Sequence, residues 1–161
     1  MNSFSDKTAP EITISRLKAR EIAQVMDLYQ SSSDGLKENM LGAWPLTSRI
    51  GIIHLILSVT PLKFFLLFEI KPFIAKKGGE ILGFGYLIKK KHKHENLLGI
   101  FIREDVQGKG IGKRLLSRLL ENEDEVVLNV AVTNFNAIRL YENMGFQREG
   151  TIHTMKYKRK Q

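Results

Sequence analysis

The sequence predicts a mixed α/β fold, a β-sheet with helices on both faces. Three observations carry this. Amphipathic helical stripes occur in the first and last thirds of the chain. The middle, from Lys63 to Arg103, reads as successive strands around the hairpin pair Gly78-Gly79. The last third alternates strand and helix, as βαβ units do. The chain has 161 residues, the size of one ordinary domain, and 43% of them are hydrophobic, enough for a core.

Met1–Pro10 is polar and lacks an apolar run, so it reads as a tail and not as a secretory signal. Residues 11–161 are expected to form the single domain. Glu11–Leu17 alternates and predicts a first strand. Ala19–Ser31 places Ile22, Val25, Met26 and Tyr29 on one helix face, and Ser31 to Gly35 ends that helix. Lys37–Ser58 predicts more helix, interrupted near Pro45. Ile50–Ile70 is the most apolar stretch, but His54, Ser58, Thr60, Pro61 and Lys63 break it short of a membrane span. It reads as a buried helix, a turn at Pro61 and a buried strand, Phe64–Ile70.

Pro72–Lys77 and Glu80–Lys90 flank Gly78-Gly79 as hairpin strands. Leu82, Phe84, Tyr86 and Ile88 share one face of the second. Gly83 and Gly85 take the other, where a bulge forms or something approaches the backbone closely. Lys89–His94 is the next hairpin tip and Asn96–Arg103 the next strand. Gly110–Glu123 predicts a helix buried along Ile111, Leu115, Leu116, Leu119 and Leu120. Glu125–Val132 predicts a strand with Val126, Leu128, Val130 and Val132 on one side. Asn136–Asn143 is a short helix, with Gly145 at its C-cap, and Phe146–Lys158 a last strand.

Composition narrows the chemistry. There is no cysteine, which excludes disulfides, thiolate metal ligands and a Cys nucleophile. A cytoplasmic protein is the default expectation. Twenty-five Lys and Arg against 17 Asp and Glu give a net charge of +8, attractive to nucleic acid and nucleotide cofactors alike. The basic runs Lys89–Lys93 and Lys156–Lys160 sit at element ends, where solvated charge is the plain reading. No nucleic-acid-binding motif accompanies them.

The strongest chemical signal is Gln107-Gly108-Lys109-Gly110-Ile111-Gly112, set between a buried strand and a helix. Such a turn aims free backbone N–H groups at one spot, where the helix dipole favours an anion. Glycines permit positive φ and close approach, and Lys109, Lys113 and Arg114 add charge. The Walker pattern fails, because Gln107 stands where its first glycine belongs and Arg114 where Ser or Thr belongs. The dinucleotide pattern fails because the glycines fall at 108, 110 and 112.

This loop resembles the Q/R-x-x-G-x-G/A motif of the GNAT superfamily of acyl-CoA N-acyltransferases and matches it completely. Leu98–Ile102 matches the apolar strand that enters the loop. Downstream, Asn134-Phe135-Asn136-Ala137-Ile138-Arg139-Leu140-Tyr141 and then Gly145-Phe146 match a second motif of the family, N-x-x-A-x-x-L-Y followed by G-F. The resemblance is sharp from Leu98 to Gly150 and uninformative over Lys37–Ile70.

The resemblance implies the acyl-CoA N-acyltransferase fold: a mostly antiparallel twisted sheet of about six to seven strands, splayed near its middle. It implies acetyl-CoA as co-substrate, its pyrophosphate on the amides of Gln107, Gly108, Lys109, Gly110, Ile111 and Gly112, beside Lys113. It implies that the pantetheine arm runs along Ile100, Phe101 and Ile102, that Asn134 contacts the cofactor, and that Tyr141 protonates the leaving thiolate. The reaction implied is direct attack by a primary amine, of a small molecule or a protein, in a ternary complex.

Asn134 also suits a helix N-cap, and Tyr141 shares the buried stripe of its helix. The base is expected to be Glu95, with neighbouring His94 read as part of the hairpin tip. His92-x-His94 lacks further ligands nearby, so no metal is expected. His54 reads as a packed histidine. Two other readings remain: a non-catalytic acyl-CoA-binding module, and a basic nucleic-acid-binding protein. Many relatives form homodimers, and no residue here fixes that state.

Overall fold

The computed structural model describes residues 11–31, 53, 55, 56, 59, 68–90 and 96–150. The expected tail, nearly all of the second helical region, the tip around His92, His94 and Glu95, and the last strand beyond Gly150 lie outside them. Ile53, Leu55 and Ile56 are helical. No helix among the described residues is long and apolar enough to cross a membrane.

Among the described residues one five-stranded sheet runs in the order β1-β2-β3-β4-β5. The strands are β1 (Thr13–Arg16), β2 (Phe68–Lys77), β3 (Glu80–Lys90), β4 (Asn96–Ile102) and β5 (Val126–Val127). Neighbours are antiparallel except β4 and β5, which are parallel. Phe68–Ile70, the described end of the strand expected at Phe64–Ile70, is continuous with the strand expected at Pro72–Lys77 as β2, which is one reason fewer strands appear among the described residues than the expected six or seven. Pro72 is tolerated because its carbonyl faces β1, accepting from Leu17 N–H at 3.1 Å. Its ring nitrogen faces the same way, past the last β1 partner, so no bond to β3 is lost. Phe146–Gly150, the described part of the expected last strand, is not in a ladder.

Gly78 and Gly79 both have positive φ, 57° and 92°, as a tight hairpin turn requires. Beyond the turn a bulge corrects the predicted face. The register passes from Lys76↔Ile81 to Ala75↔Gly83, leaving Leu82 unpaired. Leu82 therefore packs with Val106 and Ile111, while Ile81 joins Phe84, Tyr86 and Ile88 on the other side.

Helix α1 (Ile22–Gln30) follows a 3₁₀ turn at Ala19–Glu21 and covers one sheet face with Val25 and Leu28. Buried Glu21 anchors its start, accepting from Lys18 N–H at 2.8 Å and Lys76 Nζ at 2.7 Å. Helix α2 (Ile111–Leu120) covers the opposite face, packing Leu115, Leu116 and Leu119 on Phe73, Leu87 and Leu98. Gly85 makes this seat: a Cβ there would lie 2.7 Å from Leu119 Cδ1 and 3.2 Å from Leu115. The close approach expected at the strand glycines is thus the helix at Gly85 and Ile102 of β4 at Gly83.

Helix α2 ends sooner than Gly110–Glu123 predicts, because Asn122 turns left-handed at φ 61°. Glu123 then leaves the helix, its side chain 1% exposed. Its carboxylate accepts from Lys71 at 2.8 Å, Lys89 at 2.8 Å and Asn96 Nδ2 at 3.0 Å. This joins the helix exit to three strands. Burial pushes the Glu123 carboxyl upward, but the two lysine hydrogen bonds outweigh it, and the net shift is downward.

The strand expected over Glu125–Val132 pairs only at Val126 and Val127, opposite Asn96 and Leu97. From there the chain leaves β4 and enters helix α3 (Phe135–Glu142). The sheet is splayed at this point, as the family resemblance implies.

Candidate active site

A cavity of about 790 Å³ opens where β5 parts from β4. Its walls are Leu98–Ile102, Gln107, Gly108 and Gly110–Lys113 of the loop, the segment Asn129–Val130 and the first and last turns of α3. Such a volume suits a cofactor-sized ligand.

The loop is built by local geometry. A 3₁₀ turn at Glu104–Val106 buries Val106 beside Leu82 and Ile111. Gln107 Nε2 donates to the Ile102 carbonyl at 3.1 Å, tying the loop to the strand end. Gly108 and Gly110 both have φ 76°, and a Cβ at either would meet nothing within 4 Å. Their glycine is required by conformation, not by crowding. Gly110 is the N-cap of α2 and no side chain caps that end. The first-turn N–H groups therefore have no side-chain cap competing for them on the cavity side, an anion cradle at a helix N-terminus. At Gly112 a Cβ would stand 3.0 Å from Leu140 Cδ2, so this glycine lets α2 approach α3.

The charges divide differently from expectation. Lys113 lines the cavity. Lys109 does not: its Nζ donates to the Asp105 carbonyl at 3.1 Å. Arg114 reaches the Ile12 carbonyl at 2.7 Å and ties α2 to the start of β1. Arg103 pairs with Glu80 and with Asp105, the latter at 2.8 Å from Nη2.

Asn134 caps α3, its side-chain oxygen accepting from Ala137 N–H at 3.1 Å, and it also lines the cavity. The cap uses the oxygen and leaves the amide group available to donate. Tyr141 lies on the last turn of α3. Gly145, at φ 93°, lets Phe146 N–H return to the Tyr141 carbonyl at 3.1 Å, and the two rings meet at 5.7 Å. Burial raises the Tyr141 hydroxyl to about 12, so it stays protonated at neutral pH.

Of the site residues predicted from sequence, Ile100, Phe101, Ile102, Gln107, Gly108, Gly110, Ile111, Gly112, Lys113, Asn134 and Tyr141 meet around this one cavity. The Phe101 side chain turns to the far face and packs edge-on to Tyr29, so Phe101 offers mainly backbone. Glu95 lies outside the described residues. Sequence reasoning missed Asn129, Thr133 and Tyr86, which line the same space. Tyr86 reads as an ordinary strand residue until its register opposite Gly99 is known. Among the described residues no group of three metal-ligating side chains comes together.

Known proteins resemble this chain in sequence and in fold. Residues 69–148 match a family model described as acetyltransferase (GNAT) domain. Spermine/spermidine N(1)-acetyltransferase of Bacillus subtilis is 33% identical over 87 residues, 46% of this chain and 57% of that protein. The chain thus matches little more than half the length of that curated relative. Among solved structures, an N-acetyltransferase from Staphylococcus aureus superimposes with TM-score 0.68 at 18% identity, covering 92% of this chain and 90% of that one. The yncA protein of Salmonella typhimurium, solved with its cofactor acetyl-CoA, gives TM-score 0.61 at 18% identity, over 84% and 79% of the two chains.

Proposed function

Because the chain belongs to the GNAT superfamily of acetyltransferases, we propose that it transfers an acetyl group from acetyl-CoA to a primary amine in a ternary complex. The observation that carries this reading is the single cavity joining the uncapped start of α2 to Tyr141 along the open edge of β4. The residues fit the cofactor: a glycine cradle at Gly108 and Gly110 for the pyrophosphate, Lys113 beside it, and an unladdered strand edge for the pantetheine amides. When bound, acetyl-CoA supplies an acetyl group activated as a thioester.

Each residue then has a task. The amides of Gln107–Gly112 hold the pyrophosphate. Ile100 and Ile102 present backbone groups to the arm, and Asn134 donates its side-chain amide to it. The neutral amine adds to the carbonyl carbon, forming the C–N bond, and the C–S bond breaks. The amine's surplus proton leaves through a base, assigned from sequence to Glu95. Tyr141 gives its proton to the departing thiolate and regains one from solvent. A phenol at about 12 is a weak acid. The thiolate it serves leaves in the same desolvated space, where its own basicity is also raised.

Turnover with a panel of amines tests the reading, following CoA thiol released from acetyl-CoA. The panel should hold a polyamine, a peptide with a free N-terminus, an aminoglycoside and a simple monoamine. Amine-dependent thiol release is expected for at least one class. Cofactor binding without release across all classes would favour a binding module instead.

A further inference from the structure

Tyr86 has no place in the mechanism so far, yet it lines the same cavity. The side chain is 1% exposed, and its oxygen has no hydrogen-bond partner among the described residues. A buried phenol left unpaired is costly unless a ligand completes it. The register explains where it points. Tyr86 stands opposite Gly99 on β4, and the tip of its ring lies across that glycine. A Cβ at Gly99 would fall 2.4 Å from Tyr86 Cζ and 2.5 Å from its oxygen. With no side chain at 99, the ring tip lies over β4, next to the cavity that Tyr86 helps to line.

Position along β4 identifies what the hydroxyl meets. The phosphate cradle lies beyond the C-terminal end of β4, at Gly108–Gly112. A pantetheine arm starting there runs back along Ile102 and Ile100. Its reactive end then arrives beside Gly99, just where β4 parts from its partner pair Leu97↔Val127. We propose that the Tyr86 hydroxyl donates a hydrogen bond to the thioester carbonyl oxygen, making it a second catalytic phenol beside Tyr141. This rests on the acetyl-CoA reading above. Negative charge collects on that oxygen as the amine adds, and a fixed donor in a dry site stabilises it. Tyr86 keeps its proton throughout. Its desolvated phenol, raised further by the nearby Tyr141, is held as a donor and is no base.

The test is isotope-edited infrared spectroscopy of acetyl-CoA labelled with ¹³C at the carbonyl, bound to the full chain. The carbonyl stretch should lie at lower frequency on the wild-type protein than on Tyr86→Phe. Gly99→Ala, which pushes the ring tip aside, should raise it likewise. Calorimetry supplies the second readout. Tyr86→Phe should leave CoA affinity unchanged and lower the preference for acetyl-CoA over CoA by about 5-fold, the worth of one hydrogen bond. Phe fills the same space and removes only an unpaired hydroxyl, so folding should not suffer. An identical stretch and an identical preference in wild type and Tyr86→Phe would overturn the assignment while leaving the cofactor reading intact. Failure of the wild-type protein to bind either ligand overturns both.

Discussion

The two edges of β4 behave oppositely. Toward β3 it is paired along six residues, from Leu97↔Ile88 to Ile102↔Gly83. Toward β5 pairing stops after Leu97↔Val127. Glycines serve both sides, for different reasons. Gly83 and Gly85 on the closed side are needed because side chains crowd them, with contacts down to 2.6 and 2.7 Å. Gly108 and Gly110 on the open side are uncrowded and are needed for their positive φ. Closed-side glycines therefore protect stability, and on the proposed reading open-side glycines protect binding. In that reading the paired edge fixes β4 so that the open edge can hold a ligand in register.

Breaking the open side should give the largest effect. Gly110→Glu places a carboxylate at the cradle and should weaken acetyl-CoA binding by more than about 100-fold, from lost amide contacts plus repulsion. The fold should survive, since the left-handed backbone costs only about 1–2 kcal/mol. Unchanged affinity in a folded variant would remove the loop from the site. Next, Tyr141→Phe should slow turnover by about 100-fold, within the usual range for a lost general acid, and leave acetyl-CoA affinity intact. Burial raises the Tyr141 hydroxyl to about 12, so the wild-type rate should show no fall from its ionisation between pH 7 and 10. Equal turnover in the two proteins would end the acid assignment.

On the closed side, Gly85→Val should spare the loop and destabilise the fold by about 2 kcal/mol, the cost of overpacking against Leu119 and Leu115. Denaturant melts would show this. Normal stability would mean α2 is not seated as described.

The smallest effect concerns the corner where both edges begin. Glu123→Gln leaves Lys71 and Lys89 without their shared anion and should cost about 1–2 kcal/mol at pH 7, less than a fully buried pair because the lysines are partly exposed. The Glu123 carboxyl is shifted downward on folding, so its contribution is present above the ordinary carboxylate range. It is lost as pH falls through the lowered folded value. Melts of wild type and variant should therefore converge in acid. A constant difference across that range would mean the carboxylate is not the source.

How much of this could be read in advance follows the same division. The open-side loop was legible because its chemistry needs neighbouring residues: a strand end, glycines at 108 and 110, and a helix start. Asn134 and Tyr141 were legible because one short helix carries both. The features the sequence hid depend on register between distant segments. Leu82 changes face because of one bulge. Pro72 sits inside a strand because its nitrogen looks past the end of β1. Glu123 reads as a helix terminus, and only the left-handed Asn122 turns it toward lysines 52 and 34 positions away. Tyr86 acquires its place from a glycine on the next strand.

The central claim is that the open edge of β4 and the start of α2 together form an acyl-CoA site. Calorimetric titration of the purified protein with acetyl-CoA and CoA, with ATP and NAD as controls, tests it most directly. The account predicts saturable binding of acetyl-CoA and CoA and none of ATP or NAD. A folded protein that takes up neither CoA compound would contradict it.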